Sequence, residues 1–251
     1  MNRVCPSCQA QVDASISTCA KCGYQFKSSG NTLLVQPAVR PKIPAEIVAA
    51  VDIDRTGSSL QFEQGIKLAL PLLLKPIEAK ASQLKVYLQT HGDLECGEQT
   101  VLLTNAGTVD QAIQDAQKIV YEGGGDLEET HIDAAVKLLK EIPWKADTRR
   151  SRGVIIMFLT GDSKKARSGQ SAREIGEAIK NNNILCYLIC EPTPTLKELC
   201  DAAGGLMFQI TNNPDPIEMQ RIASMVSASI IATVACGGTK PLTVPINAVN
   251  K

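Results

Sequence analysis

Residues 47–60 read Ile-Val-Ala-Ala-Val-Asp-Ile-Asp-Arg-Thr-Gly-Ser-Ser-Leu, an apolar run that passes directly into carboxylates and hydroxyls. The run Ile47 to Ile53, rich in small and β-branched residues, predicts a strand covered on both faces, as in a parallel sheet. The stretch that follows, from about Ser59 to Ala81, has helical periodicity, so the run Asp54 to Ser59 falls at a strand-to-helix turn. In an open α/β sheet such turns, at the carboxyl ends of strands, are where ligands gather.

The same alternation continues outward from this stretch. Strand-length apolar segments lie at 84–89, 100–104, 153–160, 184–190 and 206–210, and helical segments at 109–120, 130–139, 171–181, 196–203 and 216–234. Their order predicts an α/β fold, a doubly wound and mostly parallel sheet flanked by helices. A length of 251 residues accommodates one such domain and one very small module, and 44% hydrophobic with 21% charged residues excludes a disordered chain. No apolar run reaches the roughly 18–20 residues of a membrane helix, and Met1 to Cys8 is no signal-peptide core, so a cytoplasmic protein is expected.

The nine cysteines divide the chain. Cys5-Pro6-Ser7-Cys8 and Cys19-Ala20-Lys21-Cys22-Gly23 are two C-x-x-C knuckles, whereas Cys96, Cys186, Cys190, Cys200 and Cys236 are scattered, mostly in apolar runs that suit core cysteines. Two knuckles supply the four thiolates of a closed, structural zinc site, and so short a segment depends on that metal for its folding. This region resembles the zinc ribbons at one end of many multidomain prokaryotic proteins, a resemblance that implies docking rather than activity. Residues 1–26 are assigned to this module and 27–43, with Pro37 and Pro41 among polar residues, to a linker. The main domain is expected over 44–235, leaving 236–251 as a tail. Formal net charge is zero, but the first 42 residues carry Arg3, Lys21, Lys27, Arg40 and Lys42 against Asp13 alone. So small an excess, with few aromatic residues to stack bases, argues against nucleic acid as the partner.

Three loops should meet at one rim of the sheet: Asp54 to Ser59, the glycine turn Gly123-Gly124-Gly125 with Asp126 to Thr130, and Thr160-Gly161-Asp162 after the strongest strand. Hydroxyls with a few carboxylates suit a hard cation such as magnesium, and the linear sequence shows no histidine cluster that would favour a transition metal. This pattern resembles the von Willebrand factor A (VWA) domain and its metal-ion-dependent adhesion site. The D-x-S-x-S motif of that site corresponds to Asp54, Thr56 and Ser58, and its strand-end aspartate to Asp162, although T-G-D stands where T-D-G is usual. The threonine that follows a double glycine in the family is replaced by Asp126, with Thr130 as the second candidate. The resemblance implies a magnesium ion, or manganese or calcium in its place, bound by Asp54, Thr56, Ser58, Asp126 and Asp162. It also implies a non-catalytic adaptor whose protein partner offers an Asp or Glu to the ion. Proteins combining such modules are often associated with AAA-type ATPases, kinases or stress-response systems.

Asp52-Ile53-Asp54-Arg55-Thr56 also matches D-x-D-x-T, the first motif of the haloacid dehalogenase superfamily. That resemblance implies a magnesium-dependent phosphatase with Asp52 as nucleophile, Asp54 as general acid/base, and Lys164 or Lys165 as the required lysine. No later G-D-x-x-x-D or D-D pair completes it. Of the remaining polar residues, His91 is expected in a solvated loop, His131 on a helix surface, and Arg149-Arg150-Ser151-Arg152 at a solvated loop end.

Overall fold

A computed structural model describes residues 2–4, 10–13, 18–21, 43–125, 128–145, 150–211 and 214–244. The chain forms two compact units, Met1–Arg40 and Pro41–Lys251. In the first, β1 (Asn2–Val4) pairs antiparallel with β2 (Gln11–Asp13), and Cys19 is buried. Cys5, Cys8 and Cys22, and with them most of the expected zinc site, lie outside the described residues.

The second unit is the expected α/β domain. Its strands are β3 (Ile43–Asp54), β4 (Ala81–His91), β5 (Val101–Gly107), β6 (Glu128–Glu129), β7 (Ser151–Phe158), β8 (Asp162–Ser163), β9 (Leu185–Cys190) and β10 (Leu206–Gln209). Between them run α1 (Glu63–Lys80), α2 (Val109–Ala116), α3 (His131–Glu141), α4 (Ala172–Asn181), α5 (Pro194–Ala203) and α6 (Pro216–Ala235). The main sheet has the order β10-β9-β7-β3-β4-β5 and is parallel except at β5, which runs antiparallel to β4 along one edge. β6 and β8 make a separate two-residue parallel ladder.

Alternation along the central strand sorts the two cores. Ile47, Ala49, Val51 and Ile53 join the core that contains the buried residues of α1, α2 and α6, and Val48 and Ala50 the core that contains those of α3, α4 and α5. Because strand side chains repeat every second residue, Asp52 and Asp54 continue the face of Val48 and Ala50. The register of β3 with β4 sets Asp52 beside Gln89 and Asp54 beside His91, and Tyr87, two residues earlier on β4, belongs to the same core. A polar inlay is thus set into one face of the sheet at the carboxyl ends of its strands. From β3 the chain crosses through α1 to β4 on one side, and later through α3 to β7 on the other. The crevice between β3 and β7 is therefore the topological switch point, where open α/β sheets hold ligands.

One expectation outside the site changes. Arg152 is buried rather than at a solvated loop end, because it lies within β7, every residue of which is buried; its Nη2 donates to the Gly237 carbonyl at 3.4 Å. Residues following α6 fold back on it: the Leu242 N–H donates to Thr233 Oγ1 at 2.9 Å and the Ser229 hydroxyl to the Leu242 carbonyl at 2.5 Å. Among the described residues no helix is long and apolar enough to cross a membrane.

Candidate metal centre at the switch point

Asp54 ends β3 as a buried carboxylate that four donors approach. Its Oδ1 accepts from the Thr56 N–H at 2.9 Å and the Thr56 hydroxyl at 2.7 Å, and its Oδ2 from the Thr160 N–H at 3.2 Å and the Thr160 hydroxyl at 2.5 Å. The first pair shapes the turn after β3, and the second ties β3 to the chain leaving β7. Hydroxyls then continue to the surface: Ser58 Oγ lies 3.0 Å from both Thr56 Oγ1 and Thr160 Oγ1, and Ser59 Oγ lies 2.8 Å from Thr160 Oγ1. Asp54, Thr56, Ser59 and Thr160 are buried whereas Ser58 is exposed, so the cluster opens outward at one hydroxyl. Beside Ser58 a cleft of about 240 Å³ is lined by Phe62, Thr160, Gly161, Glu191 and Thr211.

The glycine turn closes over this loop. The Gly57 N–H donates to the Gly123 carbonyl at 3.1 Å, and the Gly124 N–H to Glu98 Oε1 at 2.5 Å. Gly123 has a φ of +87°, and a Cβ there would sit 1.7 Å from Glu98 Oε1, so only glycine admits this approach. The turn leads to the β6–β8 ladder, which pairs Glu129 with Ser163. Glu129 is buried and its carboxyl interacts with Thr56, making it the second carboxylate of the cluster. Burial, and then the charges of Asp54 and Asp93, push it up to about 7. Its Oε2 has no hydrogen-bond partner among the described residues. A buried oxygen of this kind, next to hydroxyls and a second carboxylate, fits a bound cation, which would compensate both the unmet acceptor and the crowded negative charge.

Of the residues expected at this site, Asp54, Thr56 and Ser58 come together. Asp162 faces another group: it accepts from the Ser163 N–H at 2.8 Å and the Thr193 hydroxyl at 2.6 Å, holding the start of α5. Gly161, with a φ of +71°, turns the chain between Thr160 and Asp162, so it is Thr160 that bonds Asp54. Thr130 donates to the Gly92 carbonyl at 2.9 Å and ties two loops. Asp126 lies outside the described residues. Thr160, Ser59 and Glu129 are members that the motif reading passed over.

The histidine expectations are corrected. His91 and His131 are both fully buried, 40 residues apart in sequence and edge-to-face in space. Alternation along β4 carries His91 to the inlay, and His131, first residue of α3, covers it. Gln89 Nε2 donates to Asp52 Oδ1 at 2.8 Å, Asp52 Oδ2 lies 2.9 Å from His91 Nδ1, His91 Nε2 lies 2.8 Å from His131 Nδ1, and His131 Nε2 lies 2.7 Å from the Thr160 carbonyl oxygen. The chain of contacts runs from the middle of the sheet to the rim.

Proton positions follow from the acceptors. A carbonyl oxygen only accepts, so His131 Nε2 carries a proton; in a neutral ring its Nδ1 is then a lone pair, to which His91 Nε2 must donate. His91 Nδ1, facing the Asp52 carboxylate, is protonated as well, which makes His91 a buried imidazolium in the metal-free protein. Burial opposes that charge, but Asp52, then Asp54 and Glu129, raise His91 to about 9. Burial lowers His131 to about 4, assisted by the His91 charge against the opposing pull of Asp54. Burial acts to raise Asp54, yet the imidazoles of His131 and His91 and the hydrogen bonds from Thr160 and Thr56 hold it below its ordinary value.

These contacts also account for Asp52. With no exposed surface, and with one oxygen on Gln89 and the other on His91, it presents nothing to a phosphorus atom, so the haloacid dehalogenase reading loses its nucleophile. Lys164, offered there as the required lysine, instead pairs with Asp93 and Glu95 at 3.3 and 2.8 Å. One ligand atom each from Asp54, His91 and His131 lie within 4.8 Å of one another, contrary to the expectation of no histidine cluster.

Sheet order, flanking helices and a carboxylate–hydroxyl rim at the switch point define a VWA-like α/β fold. The structure is similar to the crystal structure of the SpRpn10 VWA domain, with a TM-score of 0.54 and 11% sequence identity, covering 78% of this chain and 98% of that one. At that identity the likeness is one of fold alone. No protein-family model matches the sequence, and a comparison with curated proteins finds no match.

Proposed function

We propose that this protein is a non-catalytic, cytoplasmic adaptor whose VWA-like domain takes an Asp or Glu side chain of a protein partner through a divalent cation. The observation that carries the reading is the hydroxyl triad Thr56–Ser58–Thr160, set over the buried carboxylates Asp54 and Glu129 and open to solvent only at Ser58. Thr56 and Ser58 would hold magnesium directly, with Asp54 and Glu129 supplying charge directly or through water; Asp126 and Asp162, placed here by the family resemblance, would contribute through water. When bound, the ion offers an electrophilic position to an incoming carboxylate. Asp54, Thr160 and the glycine turn fix the hydroxyls in place, and the cleft between Phe62 and Thr211 receives the residues flanking the partner's acidic group.

The N-terminal knuckles, Cys5, Cys8, Cys19 and Cys22, are proposed to hold a structural zinc and to dock a second surface of the partner system, an AAA-type ATPase or kinase assembly in the families that this arrangement resembles. Two weak contacts on one chain give avidity without either being strong.

The ion-binding half is tested with manganese, the paramagnetic stand-in for magnesium. Titration followed by electron paramagnetic resonance is expected to show manganese held by the wild type and competed by magnesium. Ser58→Ala, a change at an exposed position that should leave stability unaltered, is expected to weaken binding about tenfold or more. Equal binding by the two proteins would remove Ser58 from the site and the proposal with it.

A further inference from the structure

We infer that His91, His131 and Asp54 form a second metal site, at the base of the rim, that selects a borderline transition ion of the zinc class over magnesium. This goes beyond the adhesion reading, since it requires no partner and uses two imidazoles that the magnesium site does not.

Each imidazole already has its other nitrogen fixed against an acceptor. Histidines that bind a metal almost always place the far ring nitrogen against a carboxylate or a backbone carbonyl, which fixes the tautomer and aims the near nitrogen. Here His91 Nδ1 is against the Asp52 carboxylate at 2.9 Å, and His131 Nε2 is against the Thr160 carbonyl at 2.7 Å. Both outer partners are acceptors, so both outer nitrogens carry protons. Two neutral rings so held would aim lone pairs at each other from His91 Nε2 and His131 Nδ1, 2.8 Å apart. A positive charge must lie between them. In the metal-free protein it is the extra proton on His91; a metal ion in its place, with bonds of about 2.0–2.1 Å to each nitrogen, would leave both rings neutral and both outer nitrogens protonated, the two facing nitrogens parting by about half an ångström to admit it. Asp54 adds the anionic ligand, and with the imidazole nitrogens completes a triad within 4.8 Å.

Chemistry selects the ion. Two imidazoles and one carboxylate suit zinc, iron, copper or nickel, whereas magnesium prefers oxygen ligands and gives up its water reluctantly. Asp52 and Gln89 act as positioning residues: the Gln89 amide donates to Asp52 and to the Ala134 carbonyl at 3.1 Å, which holds the carboxylate behind His91.

The chain has only two histidines, and both are at this site, so imidazole signals report on it without interference from the cysteine knuckles. The test is a long-range proton–nitrogen spectrum of the nitrogen-15-labelled full chain, titrated with zinc and separately with magnesium. Zinc is expected to shift His91 Nε2 and His131 Nδ1 together to metal-bound positions while the two outer nitrogens stay protonated; millimolar magnesium should shift neither. Asp52→Asn is expected to weaken this zinc response about 10–100-fold, the usual effect of losing an outer partner, and Ser58→Ala to leave it intact. Imidazoles unmoved in a chain shown by metal analysis to be saturated with zinc would overturn the inference, as would an equal response to magnesium. A full zinc response together with unchanged manganese binding by Ser58→Ala would sustain this site and reject the adhesion site.

Discussion

Asp52→Asn is expected to destabilise the metal-free domain by about 3–5 kcal/mol near pH 6, the cost of leaving one member of a buried ion pair without the other. The substitution preserves shape, and the amide can still accept from Gln89. What it removes is the charge opposite His91, both residues having no exposed surface. The pH dependence identifies the mechanism. With a folded value of about 9 against an ordinary 6.5, His91 contributes stability that is fully present below about pH 6.5 and lost as pH rises through 9. Without Asp52 the dominant influence is burial, which disfavours the charge, so the variant should lose the decline between pH 6.5 and 9 and become less stable on acidification. His131, lowered to about 4, acts the other way in both proteins: the stability that depends on its neutral form is lost as pH falls from 6.5 through 4. Urea unfolding across this range, followed by the fluorescence of Trp144, the only tryptophan and one that lies within the domain, measures these slopes. Parallel pH profiles for the two proteins would show that Asp52 and His91 are not a charged pair.

Asp54→Asn should have the second large effect, for a geometric reason. Each oxygen of Asp54 accepts from one N–H and one hydroxyl, so whichever way an amide is turned, its NH2 group faces a buried N–H donor, that of Thr56 or of Thr160. A loss of about 2–4 kcal/mol follows from the broken charge-assisted bonds and the orphaned donor. Manganese binding at the hydroxyl rim and zinc binding at the histidines should both fall, zinc by more than about 100-fold, since there Asp54 is a direct ligand and a direct ligand counts for more than an outer one. Retention of either ion at wild-type affinity, with the domain folded by its fluorescence transition, would remove Asp54 from that site.

Much of the fold was legible because apolar strands and amphipathic helices differ in period. Ile47 to Val51 and Gly153 to Phe158 show no polar interruption, and both are central strands buried on both faces. The antiparallel course of β5 was not legible, because strand direction leaves little mark on the composition of Val101–Gly107. In the hydroxyl cluster, Asp54, Thr56 and Ser58 could be read together from local spacing, which a single turn preserves. Thr160 was displaced by Asp162 in the motif reading, since the sequence does not reveal that Gly161 adopts a positive φ and turns Asp162 towards Thr193. Glu129 could not be separated from Glu128 until the ladder with β8 buried one and exposed the other.

The histidines are the instructive omission. His91 belongs to the alternating set Tyr87, Gln89, His91, and Asp52 and Asp54 to the set Val48, Ala50, Asp52, Asp54. Polar residues at every second position on adjacent strands mark a polar strip within a buried face, and that signal was available. His131 was beyond its reach: α3 follows the glycine turn at a distance in sequence that says nothing of which strand ends it will cover.

The account centres on a cation-dependent contact at an exposed hydroxyl, and partner capture from a lysate measures it most directly. Wild-type protein and Ser58→Ala would each be used with magnesium and again with chelator, and the retained proteins identified by mass spectrometry. The account predicts a protein that the wild type holds with magnesium, releases to chelator, and fails to hold once the Ser58 hydroxyl is gone. The same proteins held in all four conditions would contradict it, and would place the binding surface of this domain somewhere other than the carboxyl ends of β3 and β7.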